Sequence, residues 1–138
     1  MIARCVRQSL GTPERGYYYT AKTVFHVQIG KNYLVLGMSL WETVLTVLVC
    51  DESGRPRWNP IGLFEFDDQK LPDDWEFSLL DGIAASGGDA LNRRLAMWGY
   101  KELVRNPLHS DELIERDPTA LEIFFNELAR ARLKFEMG

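Results

Sequence analysis

Cysteine is scarce in this chain: Cys5 and Cys50 are the only two in 138 residues. A secreted disulfide framework of this size would ordinarily carry more, so a reducing cytoplasm is expected, with Cys50 a buried thiol closing an apolar run. Long apolar stretches are also missing. The longest uncharged run, Asn32–Trp41, is too short to span a bilayer. The opening MIARCVRQSL lacks the apolar core of about 7–15 residues that a secretory signal needs. The chain is therefore expected to be soluble, cytoplasmic and without a membrane anchor.

Catalytic and cofactor signatures are absent as well. The sequence contains no P-loop, GxGxxG, HExxH, GxSxG or paired CxxC. The two histidines, His26 and His109, stand far apart and in no metal-ligand spacing. No cofactor, no metal and no enzymatic activity is expected on this basis.

What is present is ordinary globular material, 46% hydrophobic and 26% charged, with 4 Trp, 5 Tyr and 7 Phe. Length favours a single domain over residues 1–138, able to bury about 68% of its unfolded surface. The net charge of −4 is unevenly spread. Residues 1–50 carry five bases against two acids, residues 51–92 three against ten, and residues 93–138 eight of each. An acidic middle third argues against nucleic acid and for a basic partner, with a merely solvated acidic loop as the alternative reading.

The first eighty residues read as β. Ile2–Val6, Thr23–Ile29, Tyr33–Leu40, Val44–Cys50, Ile61–Phe66 and Trp75–Leu80 have strand composition, separated by turn signals. Val44–Cys50 (VLTVLVC) is apolar on both faces except at Thr46, as in a central strand buried twice. Pro56 and Pro60 exclude a helix after it. Three adjacent tyrosines, Tyr17, Tyr18 and Tyr19, cannot all face one core, because strand side chains alternate. Composition then shifts at Asp81-Gly82. Leu91, Leu95, Trp98 and Leu103 give helical spacing over Asp89–Asn106, ended by Pro107. A short helical piece starts at His109, and Asp117-Pro118 opens a last helix with an apolar stripe of Leu121, Phe124, Phe125, Leu128 and Phe135. The expected fold is α+β: a small antiparallel barrel-like sheet over about 1–80, then two or three packed helices over about 88–137.

Three chemistries compete for the acidic stretch. Asp67, Asp68, Asp73 and Asp74 form the best carboxylate cluster for a Mg²⁺-dependent enzyme, though only Arg55, Arg57 and Lys70 stand nearby to hold phosphate. A single-stranded nucleic-acid-binding barrel would want a basic face among its aromatics, and the acids oppose that. Protein recognition fits better, with Trp58 and Trp75 as apolar anchors beside Glu65, Asp67, Asp68, Asp73, Asp74 and Glu76, and Tyr18 as a further exposed ring. The alternative for each tryptophan is a place in the core.

CDESGRPRWNPIGLFEFDDQKLPDDW resembles a pattern of small bacterial proteins with a Src-homology-3-like barrel. The matching positions are Asp51, Gly54, Pro56, Trp58, Pro60, Leu63-Phe64-Glu65, Asp67, Leu71-Pro72 and Trp75. Ile29–Tyr33, Trp98–Val104, His109 and Leu113–Pro118 are similar too, so the resemblance spans residues 29–125. Several such proteins look like immunity proteins of polymorphic-toxin and contact-dependent inhibition systems. That resemblance implies a small Src-homology-3-like barrel with helices, and a protein that binds and neutralises a cognate toxin, expected to be a nuclease with a basic surface, by occlusion.

Overall fold

The computed structural model describes residues 1–11, 22–41, 44–79 and 94–137. Among these residues, eight strands run in the order β1 (Ile2–Cys5), β2 (Asn32–Leu34), β3 (Gly37–Trp41), β4 (Val44–Cys50), β5 (Pro56–Pro60), β6 (Phe64–Glu65), β7 (Glu76–Leu79) and β8 (Arg94–Gly99). Among the described residues three helices follow: α1 (Lys101–Arg105), α2 (His109–Ile114) and α3 (Pro118–Met137). The strands form two antiparallel sheets, one ordered β2-β1-β6 and one ordered β5-β4-β3-β8-β7. The α+β class expected from the sequence is what the structure has.

β4 carries the architecture. Its odd residues Val47 and Val49 are fully buried among Ala3, Tyr33, Leu63 and Phe64 around the small sheet. The intervening Leu48 points the other way, into a second core with Leu103, Leu113 and Phe124 of the helices. The unbroken VLTVLVC run is thus a strand covered on both faces, and each such side chain contributes roughly 1.5–3 kcal/mol by leaving water. Thr46 is its polar exception. Its Oγ1 lies 2.7 Å from Ser39 Oγ on β3 and donates to the Ser39 carbonyl at 3.2 Å, so both buried hydroxyls are satisfied.

Several sequence expectations need correction. Thr23–Ile29 is not a strand, although burial alternates through exposed Val24, buried Phe25, exposed His26 and buried Val27. Its backbone bonds go singly to separate segments, Phe25 N–H to Gln8 and Glu52 N–H to the His26 carbonyl, so no continuous ladder forms. Tyr33–Leu40 is divided between the two sheets at Val35 and Leu36. Ile61–Phe66 begins with a 3-10 turn (Ile61–Leu63) and keeps only two strand residues. Of the helix expected over Asp89–Asn106, residues 89–93 lie outside the described residues; within the described part, Arg94–Gly99 is strand and Lys101–Arg105 is helix. β8 pairs with β3 on one side and β7 on the other, so the sheet extends into the part of the chain expected to be helical.

The handover from β8 to α1 depends on two facing glycines. Gly37 and Gly99 are register partners, and the Leu103 side chain drops onto both. A Cβ on Gly99 would sit 2.7 Å from Leu103 Cδ2 and 2.9 Å from the Leu36 carbonyl, at a φ of +152° that L side chains rarely adopt. α3 starts as expected, with Asp117 Oδ2 accepting the Ala120 N–H at 2.9 Å before Pro118 continues the turn. Ala120, Phe124 and Leu128 are buried, whereas Phe125 and Phe135 of the expected apolar stripe are exposed. Among the described residues, no helix is long and apolar enough to cross a membrane.

Tyr100 and His109 join α1 to α2 through a buried contact, Tyr100 Oη lying 2.6 Å from His109 Nε2. Burial lowers the imidazole's pKa, against an opposing influence of the Glu102 carboxylate. Because the folded pKa lies below the unfolded value, the unfolded chain takes up the proton first as pH falls. Stability should therefore be full above about pH 6.5 and decline below it. In urea titrations between pH 7.5 and 5, His109→Gln should flatten that decline; an unchanged slope would contradict the assignment. Gly99→Ala should cost roughly 2 kcal/mol or more by overpacking and strain, and a neutral effect in the same titrations would argue against the Leu103 contact.

Candidate functional site

The β4–β5 connection is built around one carboxylate. The Asp51 side chain is fully buried, and its Oδ1 accepts the Ser53 N–H at 2.9 Å and the Ser53 hydroxyl. Arg57 Nε stands 3.0 Å from Oδ2, off the line of a hydrogen bond, so this contact is an ion pair. The turn closes with Gly54 N–H bonded to the Asp51 carbonyl and Asp51 N–H to the Arg55 carbonyl, both at 3.0 Å, with Gly54 at φ +79°. Asp51 thereby fixes where Arg55 and Arg57 leave the backbone.

β5 is an edge strand, with proline at both ends. Pro56 faces Cys50 and Pro60 faces Thr46, and neither has an N–H to give. Hydrogen-bonded pairs in an antiparallel ladder alternate, so β4 is bonded by Arg57 and Asn59, while Pro56, Trp58 and Pro60 turn their backbone outward. The prolines thus remove two outward donors from an edge that would otherwise template aggregation. The Trp58 indole lies on the helix side and donates Nε1–H to Ser110 Oγ of α2 at 2.9 Å.

Between this edge and α2–α3 opens a cleft of about 470 Å³. Its floor is the Ser39–Thr46 pair, its walls include Trp41, Trp58, Leu113 and Leu121, and Ile114 and Phe125 stand exposed at its mouth. Arg55, Arg57 and Arg116 line it, and among the described residues no carboxylate does. Arg57 is committed to Asp51; Arg55 and Arg116 form no ion pair among the described residues.

Arg116 is held in an unusual way. α2 ends with Arg116 N–H bonded to the Leu113 carbonyl and Asp117 N–H to the Glu112 carbonyl, a Schellman closure. The residue at its turning point normally is glycine, yet arginine occupies it here at φ 63°. It is the one non-glycine residue with positive φ among those described. A backbone position that costs a non-glycine residue about 1–2 kcal/mol thus places the Arg116 side chain on the lining of the cleft.

The residues expected to form an acidic rim lie elsewhere. Arg4 of β1 reaches Glu65 at 2.8 Å and Asp67 at 3.5 Å. Lys70 stands 3.7 Å from Asp73, and Arg105 grips Glu76 with two bonds of 2.7 and 2.8 Å. Asp74 meets Lys134 at 2.8 Å and Arg130 at 3.1 Å, and the Lys134 ammonium holds its carboxyl below the ordinary range. Asp68 Oδ1 accepts the Lys70 N–H. Five of these six carboxylates therefore face five bases of their own chain, and Asp68 is met by a backbone N–H. Trp58 and Trp75 do not flank this segment together: Trp58 lines the cleft, while Trp75 packs against the small-sheet core and lines a second hollow beside α3. Tyr18 falls outside the described residues. Of the expected site residues, only Trp58 belongs to the cleft. Among the described residues, no group of three or more His, Cys, Asp or Glu is arranged to hold a metal ion.

No protein-family model, no curated protein and no solved structure matches this chain.

Sequence reasoning weighed Arg55 only as a base near the acidic stretch, and passed over Arg116, Trp41 and Phe125 as site residues. Arg116 left one local trace, since it occupies the slot between helix end and Asp117-Pro118 where glycine or asparagine is the usual choice. Replacing it tests the strain directly. Arg116→Gly should raise the unfolding free energy by about 0.5–1 kcal/mol, the left-handed penalty less glycine's entropy. A destabilised Arg116→Gly variant in chemical denaturation would overturn this reading of the helix end.

Proposed function

We propose that this protein is a non-catalytic binding protein of the immunity type, which holds a cognate toxin domain stoichiometrically and occludes it through the cleft face. The observation that carries this reading is the lining itself: Trp41, Trp58 and Phe125 beside Arg55 and Arg116. Tryptophan and arginine in a central, partly desolvated pocket are the side chains that dominate binding energy at protein interfaces. Apart from the guanidiniums, the polar side chains described in this lining are two hydroxyls bonded to each other. That set suits holding a partner more than moving protons or forming covalent intermediates.

The resemblance supplies the immunity character, the cytoplasmic setting and the Src-homology-3-like description of the curved strands, with the small sheet and β3–β5 as two walls of a barrel-like half. The acidic steering of a basic nuclease is the weaker part of the proposal. Five of the six carboxylates of residues 65–76 are paired with the chain's own bases, which leaves less field to attract a basic surface.

Co-expression with the product of the adjacent reading frame tests the proposal. The expected outcome is an equimolar complex on gel filtration and relief of any growth defect the partner causes. Trp58→Ala should weaken the complex by about tenfold or more, about 1.4 kcal/mol. No association at micromolar concentration, together with no relief of growth, would sink the reading.

A further inference from the structure

The cleft combines features that together specify the chemistry of its occupant. Ile114, at 60% exposed, and Phe125, at 39%, leave hydrophobic surface in water on the helical side of the cleft. Arg55 comes from the β4–β5 turn and Arg116 from the α2–α3 turn, so the two guanidiniums that form no ion pair among the described residues are supplied by two different elements of the same cleft. Arg57 adds a third positive group, already committed to the buried Asp51. The nearest acids in the chain to Arg116 are Glu115 and Asp117, and the Asp117 carboxylate is engaged at the start of α3.

From this charge complementarity we infer that the cleft receives a segment of a partner protein in which carboxylate side chains alternate with bulky apolar ones. The apolar side chains enter between Trp41, Trp58 and Phe125, and the carboxylates meet Arg55 and Arg116. Guanidinium groups match carboxylate geometry with paired hydrogen bonds, and a partly water-excluded wall strengthens them. An extended segment presents its two kinds of side chain on opposite faces, which fits a cleft with an apolar interior and a basic rim. The partner element that docks here is therefore acidic, opposite in sign to the one that the linear charge distribution suggests. The inference rests on the cleft being the binding face and adds what that face selects.

The test uses three short, terminally blocked peptides of alternating glutamate and leucine, glutamine and leucine, and lysine and leucine. Indole N–H resonances of the full chain report binding. Trp41 and Trp58 line the cleft, while Trp75 and Trp98 do not and serve as controls. The glutamate peptide should shift Trp41 and Trp58 saturably, and the lysine peptide should not. Arg55→Gln combined with Arg116→Asn should weaken the glutamate peptide by about tenfold or more, with the thermal midpoint confirming a folded variant; asparagine tolerates the left-handed backbone. Equal binding of the glutamate and glutamine peptides, or affinity unchanged in the double variant, would overturn the acidic selectivity while leaving the cleft as a binding face. No shift from any peptide would remove both. Shifts of the same indoles on raising protein concentration alone would assign the cleft to a second copy of this chain and overturn the inference.

Discussion

Burial of β4 on both faces is the constraint from which the remaining arrangement follows. A strand with Val47 and Val49 on one side and Leu48 on the other cannot satisfy both faces with a single layer. The small sheet covers one face and the helices cover the other. Helices packed over only part of the second face leave the rest of it between β5 and α2–α3, and that remainder is the cleft. The satisfied Ser39–Thr46 pair is the polar element that lets the cleft floor lie so deep.

The two glycines opposite Leu103 and the buried Asp51 act at different ends of this frame. Gly37 and Gly99 let α1 approach the sheet, which sets where α2 and α3 begin. Asp51 sets where β5 begins and how its arginines emerge. Ser110 on α2 and Trp58 on β5 then meet at 2.9 Å, tying the edge strand to the helices beside the cleft. Cleft and fold are consequently coupled: Trp58, which lines the cleft, is also a tie between layers.

The sequence was most legible where the signal was local. VLTVLVC declared its double burial, Asp51–Gly54 declared a turn, and Asp117-Pro118 declared a helix start, because each depends on neighbours in the chain. β8 was misread because Leu91, Leu95, Trp98 and Leu103 have helical spacing, whereas its strand character comes from β3 and β7, which lie far away in sequence. Tyr33–Leu40 looked continuous because no residue type announces that a chain is changing sheets. The site suffered from the same limitation in electrostatic form. Six acids in residues 65–76 look like a charged patch until Arg4, Arg105, Arg130 and Lys134 arrive from elsewhere. Arg55 and Arg116 look unremarkable until two turns bring them to one cleft.

The central claim is that the working face lies at the cleft and not along the acidic segment. Hydrogen-exchange footprinting of the full chain, alone and in complex with the product of the adjacent reading frame, addresses it most directly. Slowed exchange confined to residues 54–58 and 113–125 is the expected result. Slowed exchange along residues 65–76, with the cleft segments unchanged, would contradict the claim and return the acidic segment to the role that its linear charge suggests.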